Sequence, residues 1–349
     1  VPVSMSIAPK YTADNAVVQK LLNVWQMLVH PVIVCSNNMI DDFRTLIRGA
    51  LLSEQHVITV GSLQNCTKPH TTGVEDTQTA PELSPDDLAL LLLTSGSTGT
   101  PKAVMHTHQT LINRSAATTV HNSFGRNDIS LNWMPLDHVG GIVMFHLRDV
   151  YNAGSQIQVA TSWILESPLR WLDIIDAYKA TSTWAPNFAF GLIVDRAEEV
   201  ARRKWDLSSM RFILNGGEAV VAHTACRFIR LLEKHQLPVD SMHPAWGMSE
   251  TASGVCYSHN FSLETVSDSD STVEVGSPIP NTSLRIVDSN NQVLDEGQRG
   301  NLQIRGASIT PGYYANPQEN REVFTDDGWF KTGDAGILNQ RCLTITDRI

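Results

Sequence analysis

The sequence of 349 residues has no cysteine pair at metal-binding spacing, no long apolar run and no cluster of basic side chains. Its five cysteines are scattered, which disfavours a disulfide framework or a zinc site and predicts a reducing, cytoplasmic location. No apolar run reaches the roughly 20 residues that span a bilayer, and no signal-peptide pattern opens the chain. We therefore expect neither a secreted nor a membrane-spanning protein.

Positive charge is also scarce. Lysine and arginine number 26 against 36 acidic residues, a formal net charge of -10. A surface that binds nucleic acid or an anionic membrane needs clustered lysine and arginine, so neither partner is expected. The length exceeds what one hydrophobic core fills, so we expect two or three subdomains.

Helical and strand-like patterns alternate along the chain. Apolar residues at three- and four-residue spacing predict helices over 14–30 and 41–52, and short apolar runs predict strands over 31–36 and 56–62. Polar residues without a period predict a surface linker over 64–85. This order is typical of a parallel sheet covered by helices, the α/β class.

Beyond the linker, several predicted strands end in loops that carry unusual residues, which indicates a site at the carboxyl edge of a sheet. From Glu274 onward, short strands alternate with turns and predict an antiparallel unit. The predicted architecture is two packed α/β sheet subdomains, 1–128 and 129–262, followed by a small β-barrel-like subdomain, 263–349.

The stretch TSGSTGTPK, residues 94–102, predicts a phosphate-binding loop. Backbone N–H groups of small residues and hydroxyl donors can surround phosphate oxygens, and a lysine adds positive charge. The Walker pattern of P-loop enzymes is absent, because Pro101 precedes Lys102 and Ala103 follows it. A P-loop NTPase or kinase is therefore disfavoured.

That stretch resembles the phosphate loop of the adenylate-forming superfamily, which includes acyl-CoA synthetases, nonribosomal peptide synthetase adenylation domains and luciferases. Further motifs of this superfamily follow in order: NGGEA at 215–219, AWGMSET at 245–251, GNLQIRG at 300–306, GYY at 312–314 and WFKTGD at 329–334. Asn301 stands where the superfamily usually has Glu. The resemblance covers about residues 85–349.

The resemblance implies an ATP site. The residues it assigns to ATP or AMP are Thr94, Ser95, Gly96, Ser97, Thr98, Gly99, Thr100, Lys102, Gly216, Gly217, Glu218, Ala219, Trp246, Gly247, Met248, Ser249, Asp334 and Arg348. Thr98 and Lys102 would act on the phosphates, Trp246 would stack on adenine, and Asp334 would take the ribose hydroxyls. Glu250 matches the ligand of Mg²⁺.

The reaction that follows is attack of a carboxylate oxygen on the α-phosphorus of MgATP, which releases pyrophosphate and leaves an acyl adenylate. His138 falls at the superfamily's aromatic gate beside the carboxylate and completes the predicted catalytic set with Lys102, Glu250 and Thr98. The predicted acid pocket consists of His138, Val139, Gly140, Thr183, Leu214, Gly216, Ala245, Ser253 and Gly254.

Val139 stands where amino-acid-activating relatives carry an aspartate that pairs the α-ammonium group. An apolar residue leaves that cation unpaired, at a cost of several kcal/mol. We therefore expect an acid without an α-ammonium: an aryl, phenylpropanoid, hydroxy or keto acid. A shift of one residue would put Asp137 at this position and reverse the conclusion.

The segment around His138 also resembles starter-unit adenylation domains of hybrid polyketide and nonribosomal peptide synthases. This resemblance implies a carrier-protein phosphopantetheine thiol, or CoA, as acceptor. The chain ends where the superfamily's hinge begins, so we expect an excised core, without the C-terminal domain and with reduced activity. Alternatives are a fatty-acyl-AMP ligase or acyl-CoA synthetase, an amino-acid adenylation domain, and a non-catalytic nucleotide-binding module.

Overall fold

The computed structural model describes residues 1–6, 8, 11, 15–49, 57–66, 82–94 and 101–348. The helices are α1 Ala16–Met27, α2 Ile40–Gly49, α3 Val60–Cys66, α4 His108–His121, α5 Arg148–Asn152, α6 Thr161–Glu166, α7 Arg170–Tyr178, α8 Asn187–Val194, α9 Ala197–Arg202, α10 Ala222–Leu232 and α11 Pro317–Val323. Short 3₁₀ turns cover Asn37–Met39, Glu233–His235 and Ser249–Thr251, and a π-helix covers Gly140–Leu147.

The strands are β1 Ile33–Cys35, β2 Val57–Thr59, β3 Leu88–Thr94, β4 Lys102–Thr107, β5 Ile129–Asn132, β6 Ser155–Gln158, β7 Ser182–Ala185, β8 Phe212–Asn215, β9 Met242–Met248, β10 Ser253–Tyr257, β11 Glu274–Pro278, β12 Thr282–Val287, β13 Gly300–Gly306, β14 Phe330–Asn339 and β15 Cys342–Arg348. Strands β1 and β2 pair in parallel, and β3 and β4 form a second two-stranded sheet.

Most strands belong to one sheet, in the order β12-β13-β14-β15-β11-β10-β9-β8-β7-β5-β6. Strands β6, β5, β7, β8 and β9 run parallel, and the pairing becomes antiparallel from β9 to β10 onward. The α/β prediction is confirmed. The antiparallel strands predicted as a separate unit are joined to the parallel ones by the pairing of β10 with β11.

The chain divides into two compact units. One contains Val1–Ser4, Pro85–Leu92 and Val104–Ile349, and the other contains Met5–Ser84 and Leu93–Ala103. In the larger unit, Trp171, Phe190 and Phe228 pack in one buried cluster, and in the smaller unit Cys35, Phe43 and Val57 do so. The division into three subdomains stays a prediction.

The second short strand of the smaller unit is shorter than the sequence predicts. Strand β2 covers only Val57–Thr59 of the predicted 56–62, because a helix begins at Val60. Thr59 Oγ1 accepts from the Ser62 N–H at 3.1 Å, and Ser62 Oγ accepts from the Thr59 N–H at 3.2 Å. These reciprocal bonds resemble a helix N-cap, which apolar alternation cannot reveal.

The predicted linker over 64–85 overlaps the end of α3, and its residues 67–81 lie outside the described ones. Within the described ranges, no helix is long and apolar enough to cross a membrane. The same ranges contain no group of three or more His, Cys, Asp or Glu side chains placed to hold a metal ion.

Burial of His243 predicts a pH-dependent stability. Burial lowers the pKa of His243 to about 4, although its ring contacts the carbonyls of Ser258 at 2.9 Å and Arg211 at 3.4 Å. The unfolded chain takes up this proton near pH 6.5, so stability is present above that pH and is lost as the pH falls toward 4. Between pH 7.5 and 5, the free energy of unfolding falls in the unsubstituted chain. We expect this fall to be smaller by about 2 kcal/mol in His243→Gln.

Urea unfolding at the two pH values measures this difference. His223→Gln is the matched control, because the His223 side chain is exposed and already in water. Equal losses of stability in all three proteins would contradict the assignment to His243.

Candidate functional site

A cleft lies at the carboxyl ends of the parallel strands, where ligands bind in open α/β sheets. Strands β7, β8 and β9 and the segments that follow β5 and β9 supply its walls. The lining residues are His138, Val139, Gly140, Met144, Trp184, Leu214, Gly216, Gly217, Ala245, Trp246, Gly247, Ser253 and Gly254.

Close backbone approach requires glycine at two points of this wall. A Cβ atom at Gly247 would lie 2.1 Å from the carbonyl oxygen of Ser253, on the neighbouring strand. A Cβ atom at Gly140 would lie 2.4 Å from the Trp184 ring. Both contacts are too short for any side chain, so these glycines hold the wall close to its neighbours.

His138 lies at the mouth of the cleft, stacked on Trp184. The two ring centroids are 5.6 Å apart, with 24° between the planes. His138 Nδ1 accepts from the Gly140 N–H at 3.1 Å, which places the proton of a neutral ring on Nε2. Partial burial of the ring lowers the pKa of His138, and the charge of Asp137 opposes that shift. A neutral imidazole that can donate from Nε2 therefore borders the cleft.

Val139 is buried at 7% exposure and belongs to an apolar cluster with Leu90, Val143 and Tyr313. Its neighbour Asp137 is half-buried and is not among the residues that line the cleft. The wall at residue 139 is therefore apolar, and its side chain cannot form an ion pair with a cationic group.

Trp246 and Asp334 form a hydrogen-bonded pair. The indole Nε1 of Trp246 donates to Asp334 Oδ2 at 2.9 Å. Asp334 faces Arg348 across the β14–β15 ladder. Burial raises the pKa of Asp334, and the Trp246 hydrogen bond and the Arg348 charge offset that shift only in part. The structure thus brings together the ring predicted for adenine and the carboxylate predicted for ribose.

Glu250 lies in the 3₁₀ turn Ser249–Thr251 and is 6% exposed. Its Oε1 accepts from the Tyr313 hydroxyl at 2.8 Å, and its carbonyl accepts from the Thr310 N–H at 2.8 Å. Burial and the charge of Glu250 raise the pKa of Tyr313 far above its ordinary value, so Tyr313 is a permanent donor. The phenol fixes the carboxylate in one orientation.

This carboxylate fits a magnesium ligand. Its two oxygens are acceptors only, and one of them bonds to Tyr313. Mg²⁺ in nucleotide sites usually takes one or two carboxylates and fills its other positions with phosphate oxygens and water. Glu250 would therefore hold the ion together with the nucleotide.

Other residues predicted for the nucleotide lie at the edge of the cleft or beyond it. Glu218 and Ala219 are exposed, and Glu218 Oε1 accepts from the Phe188 N–H at 2.6 Å. The Met248 N–H donates to Thr251 Oγ1 at 2.9 Å, and the Ser249 carbonyl lies 2.8 Å from His106 Nε2. These bonds shape the turn that carries Glu250.

The predicted phosphate loop joins β3 to β4. Thr94 is the last residue of β3, and Lys102 is the first of β4. The intervening predicted residues Ser95, Gly96, Ser97, Thr98, Gly99 and Thr100 lie outside the described residues. Their roles, and that of Lys102, stay predictions.

Eight of the nine predicted pocket residues line the cleft, and Thr183 does not. Thr183 Oγ1 accepts from Trp171 Nε1 at 3.0 Å and donates to the Leu131 carbonyl at 2.9 Å. Its neighbour Trp184 lines the cleft instead, because successive strand residues face opposite sides. Met144 is the other lining residue that the sequence did not predict.

Comparisons with known proteins identify a matching family and related chains. The model of a family described as AMP-binding enzyme matches residues 7–314. A nonribosomal peptide synthetase of Aspergillus terreus is 33% identical over 326 residues, which are 92% of this chain and 34% of that protein. An atromentin synthetase of Tapinella panuoides is 37% identical over 278 residues, which are 77% of this chain and 29% of that protein. The chain thus spans about a third of the curated relatives it matches.

Among the solved structures that match the whole chain, two are bound to different acyl adenylates. McyG A-PCP complexed with phenylalanyl-adenylate has a TM-score of 0.93 at 42% identity, over 100% of this chain and 61% of that chain. The adenylation domain of a keto acid-selecting NRPS module bound to keto acyl adenylate has a TM-score of 0.91 at 39% identity, over 100% and 68%. One of these relatives therefore holds an amino-acid adenylate and the other a keto-acid adenylate.

Proposed function

Because this chain belongs to the AMP-binding enzyme family, the adenylate-forming superfamily, we propose that it activates a carboxylic acid with ATP and releases pyrophosphate. The acid we propose is an aryl, phenylpropanoid, hydroxy or keto acid without an α-ammonium group. The observation that carries this choice is the buried, apolar Val139 in the wall of the cleft. An ammonium group beside Val139 would lose its hydration, and the valine side chain would not replace it with an ion pair.

In the proposed reaction the protein positions reactants rather than forming a covalent bond with them. His138 would border the acid carboxylate and offer its Nε2 proton, and Trp246 and Asp334 would hold the nucleoside. Lys102 and the hydroxyl residues of the phosphate loop would offset the phosphate charge. Mg²⁺ held by Glu250 would neutralise charge on the phosphate oxygens.

We further propose that the acyl adenylate is passed to the phosphopantetheine thiol of a carrier protein. The likeness to an A-PCP structure and to peptide synthetases supports this acceptor. A cytoplasmic location is also a proposal, based on the scattered cysteines. Among the described residues, four cysteines are free thiols: Cys35, Cys226, Cys256 and Cys342.

Calorimetric binding of three non-hydrolysable acyl-sulfamoyl adenosines to this chain tests the choice of acid. The three ligands share a phenylpropanoyl tail and differ only in an α-amino, α-hydroxy or α-hydrogen substituent. We expect the amino form to bind at least about ten-fold more weakly than the others. Tightest binding of the amino form would favour the second candidate, amino-acid activation, which the likeness to the phenylalanyl-adenylate complex supports.

Val139→Asp is expected to reverse the preference among these ligands. A carboxylate at this point of the wall would pair with the α-ammonium, so the amino form should gain about ten-fold or more relative to the hydroxy form. Val139→Asn is the matched control, because asparagine has the same shape as aspartate but carries no charge. If Val139→Asp leaves the ranking unchanged, Val139 does not face the α-substituent.

A further inference from the structure

A buried arginine lies directly behind the wall of the cleft. Arg114 on α4 is fully buried at 0% exposure. Its Nη2 donates to the Tyr257 hydroxyl at 2.9 Å and to the Gly254 carbonyl at 3.2 Å, and Gly254 lines the cleft. Its Nε and Nη1 have no hydrogen-bond partner among the described residues. A charged group that is buried without its full set of hydrogen bonds is costly, so an added oxygen acceptor beside the guanidinium would stabilise its charge.

The surroundings of Arg114 hold more positive than negative charge. A second buried arginine, Arg148, donates from Nε to Asp149 Oδ1 at 2.8 Å, and Asp149 also accepts from Ser130. Asp149 is thus committed to Arg148, and no ion pair found in the described ranges includes Arg114. An added oxygen acceptor would be attracted to this region by the uncompensated charge.

On the side of the cleft, Arg114 is covered by Met144. The thioether sulfur of Met144 contacts Arg114 Nη2, and Met144 also lines the cleft. A thioether is a weak acceptor, and the methionine side chain is flexible. An oxygen atom from a bound molecule that displaces the Met144 side chain would therefore meet the guanidinium at Nη2 and make a stronger, charge-assisted bond there.

We propose that Arg114 is a specificity-determining residue that selects acids with an oxygen acceptor on the acyl tail. The proposal rests on the proposed function, because it takes the cleft to be the acid site. The guanidinium donates and cannot accept, so an acceptor-only group such as a ketone carbonyl matches it, and a methyl group of similar size does not. In this arrangement Met144 is the side chain that the substrate oxygen displaces.

Matched pairs of acyl-sulfamoyl adenosines test the proposal by calorimetry on this chain. Each pair differs by a carbonyl oxygen against a methyl group: 4-oxopentanoyl with 4-methylpentanoyl, 5-oxohexanoyl with 5-methylhexanoyl, and 6-oxoheptanoyl with 6-methylheptanoyl. At the length that reaches Arg114, we expect the ketone to bind about ten-fold or more tightly than its partner. Arg114→Met should bring this ratio to about one, and Met144→Ala, which uncovers the guanidinium, should raise it.

The ratio within a pair separates recognition from a purely structural role, because loss of stability would weaken both ligands alike. Equal affinities within every pair, in the unsubstituted chain and in Met144→Ala, would overturn the proposal even if Arg114→Met does not fold. In that case tight binding of both ligands would leave the proposed function standing. If no ligand of any pair binds, the proposed function itself fails, and the role of Arg114 fails with it.

Discussion

Gly276→Ala is expected to destabilise the larger unit by about 3 kcal/mol or more. Gly276 lies in β11 at a register shift in its pairing with β15, and its φ of +81° is in the left-handed region. A Cβ atom there would lie 1.9 Å from the carbonyl oxygen of Tyr257 on the neighbouring β10. That neighbour is main chain within a sheet, so it cannot rotate away as a side chain would. The midpoint of urea unfolding measures the loss.

Gly328→Ala separates the steric clash from the backbone strain. Gly328 has a nearly identical φ of +79°, but a Cβ atom there meets nothing within 4 Å. We expect it to cost about 1 kcal/mol, the strain of a left-handed alanine alone. If the two substitutions shift the midpoint equally, the close approach of Gly276 to β10 is not the cause.

The consequence would extend to the cleft, because Gly276 packs against the main chain that carries Tyr257. The Tyr257 hydroxyl donates to the carbonyl of Gly254, which lines the cleft. Ligand binding should therefore weaken in Gly276→Ala even at temperatures where the chain is folded. In Gly328→Ala, ligand binding should stay unchanged.

The sequence predicts the edge of the sheet where the cleft lies, because glycine and polar residues follow apolar runs of strand length. The resemblance to the superfamily, matched by spacing, assigns Leu214, Gly216 and Ala245 to the pocket, and all three line the cleft. Motif spacing can locate such residues because close main-chain packing restricts which residues fit. Gly216 illustrates this restriction, since an added Cβ would lie 2.9 Å from the Ala245 carbonyl oxygen.

The errors have physical reasons that spacing does not contain. Thr183 and Trp184 are neighbours on β7, and an error of one residue exchanges the two faces of a strand. Met144 lies in the π-helix Gly140–Leu147, whose wider turns change which side chains face the cleft. The helix begins at Val60 because Thr59 and Ser62 form reciprocal hydrogen bonds between side chain and backbone. The partners of Arg114 come from distant parts of the chain, so no local pattern reveals them.

Glu250→Gln is expected to lower acid-dependent pyrophosphate exchange by about 100-fold or more, because it removes the charge that would hold Mg²⁺ at the phosphates. The amide oxygen can still accept from the Tyr313 hydroxyl, so the substitution retains the bond between residue 250 and Tyr313. A second readout is the affinity for ATP, measured by calorimetry with Mg²⁺ and with EDTA. The gain in affinity due to Mg²⁺ should fall in Glu250→Gln, while binding of ATP in EDTA stays similar.

Glu264→Gln removes the same charge from an exposed side chain and leaves the net charge equal to that of Glu250→Gln. It should retain the exchange rate and the Mg²⁺ dependence of the unsubstituted chain, because exposed charges are screened by solvent. Unchanged exchange in Glu250→Gln, with unchanged dependence on Mg²⁺, would mean that the buried carboxylate does not hold Mg²⁺. A fall in exchange that Mg²⁺ does not influence would instead indicate a structural fault in the turn, since the magnesium role requires both readouts to change together.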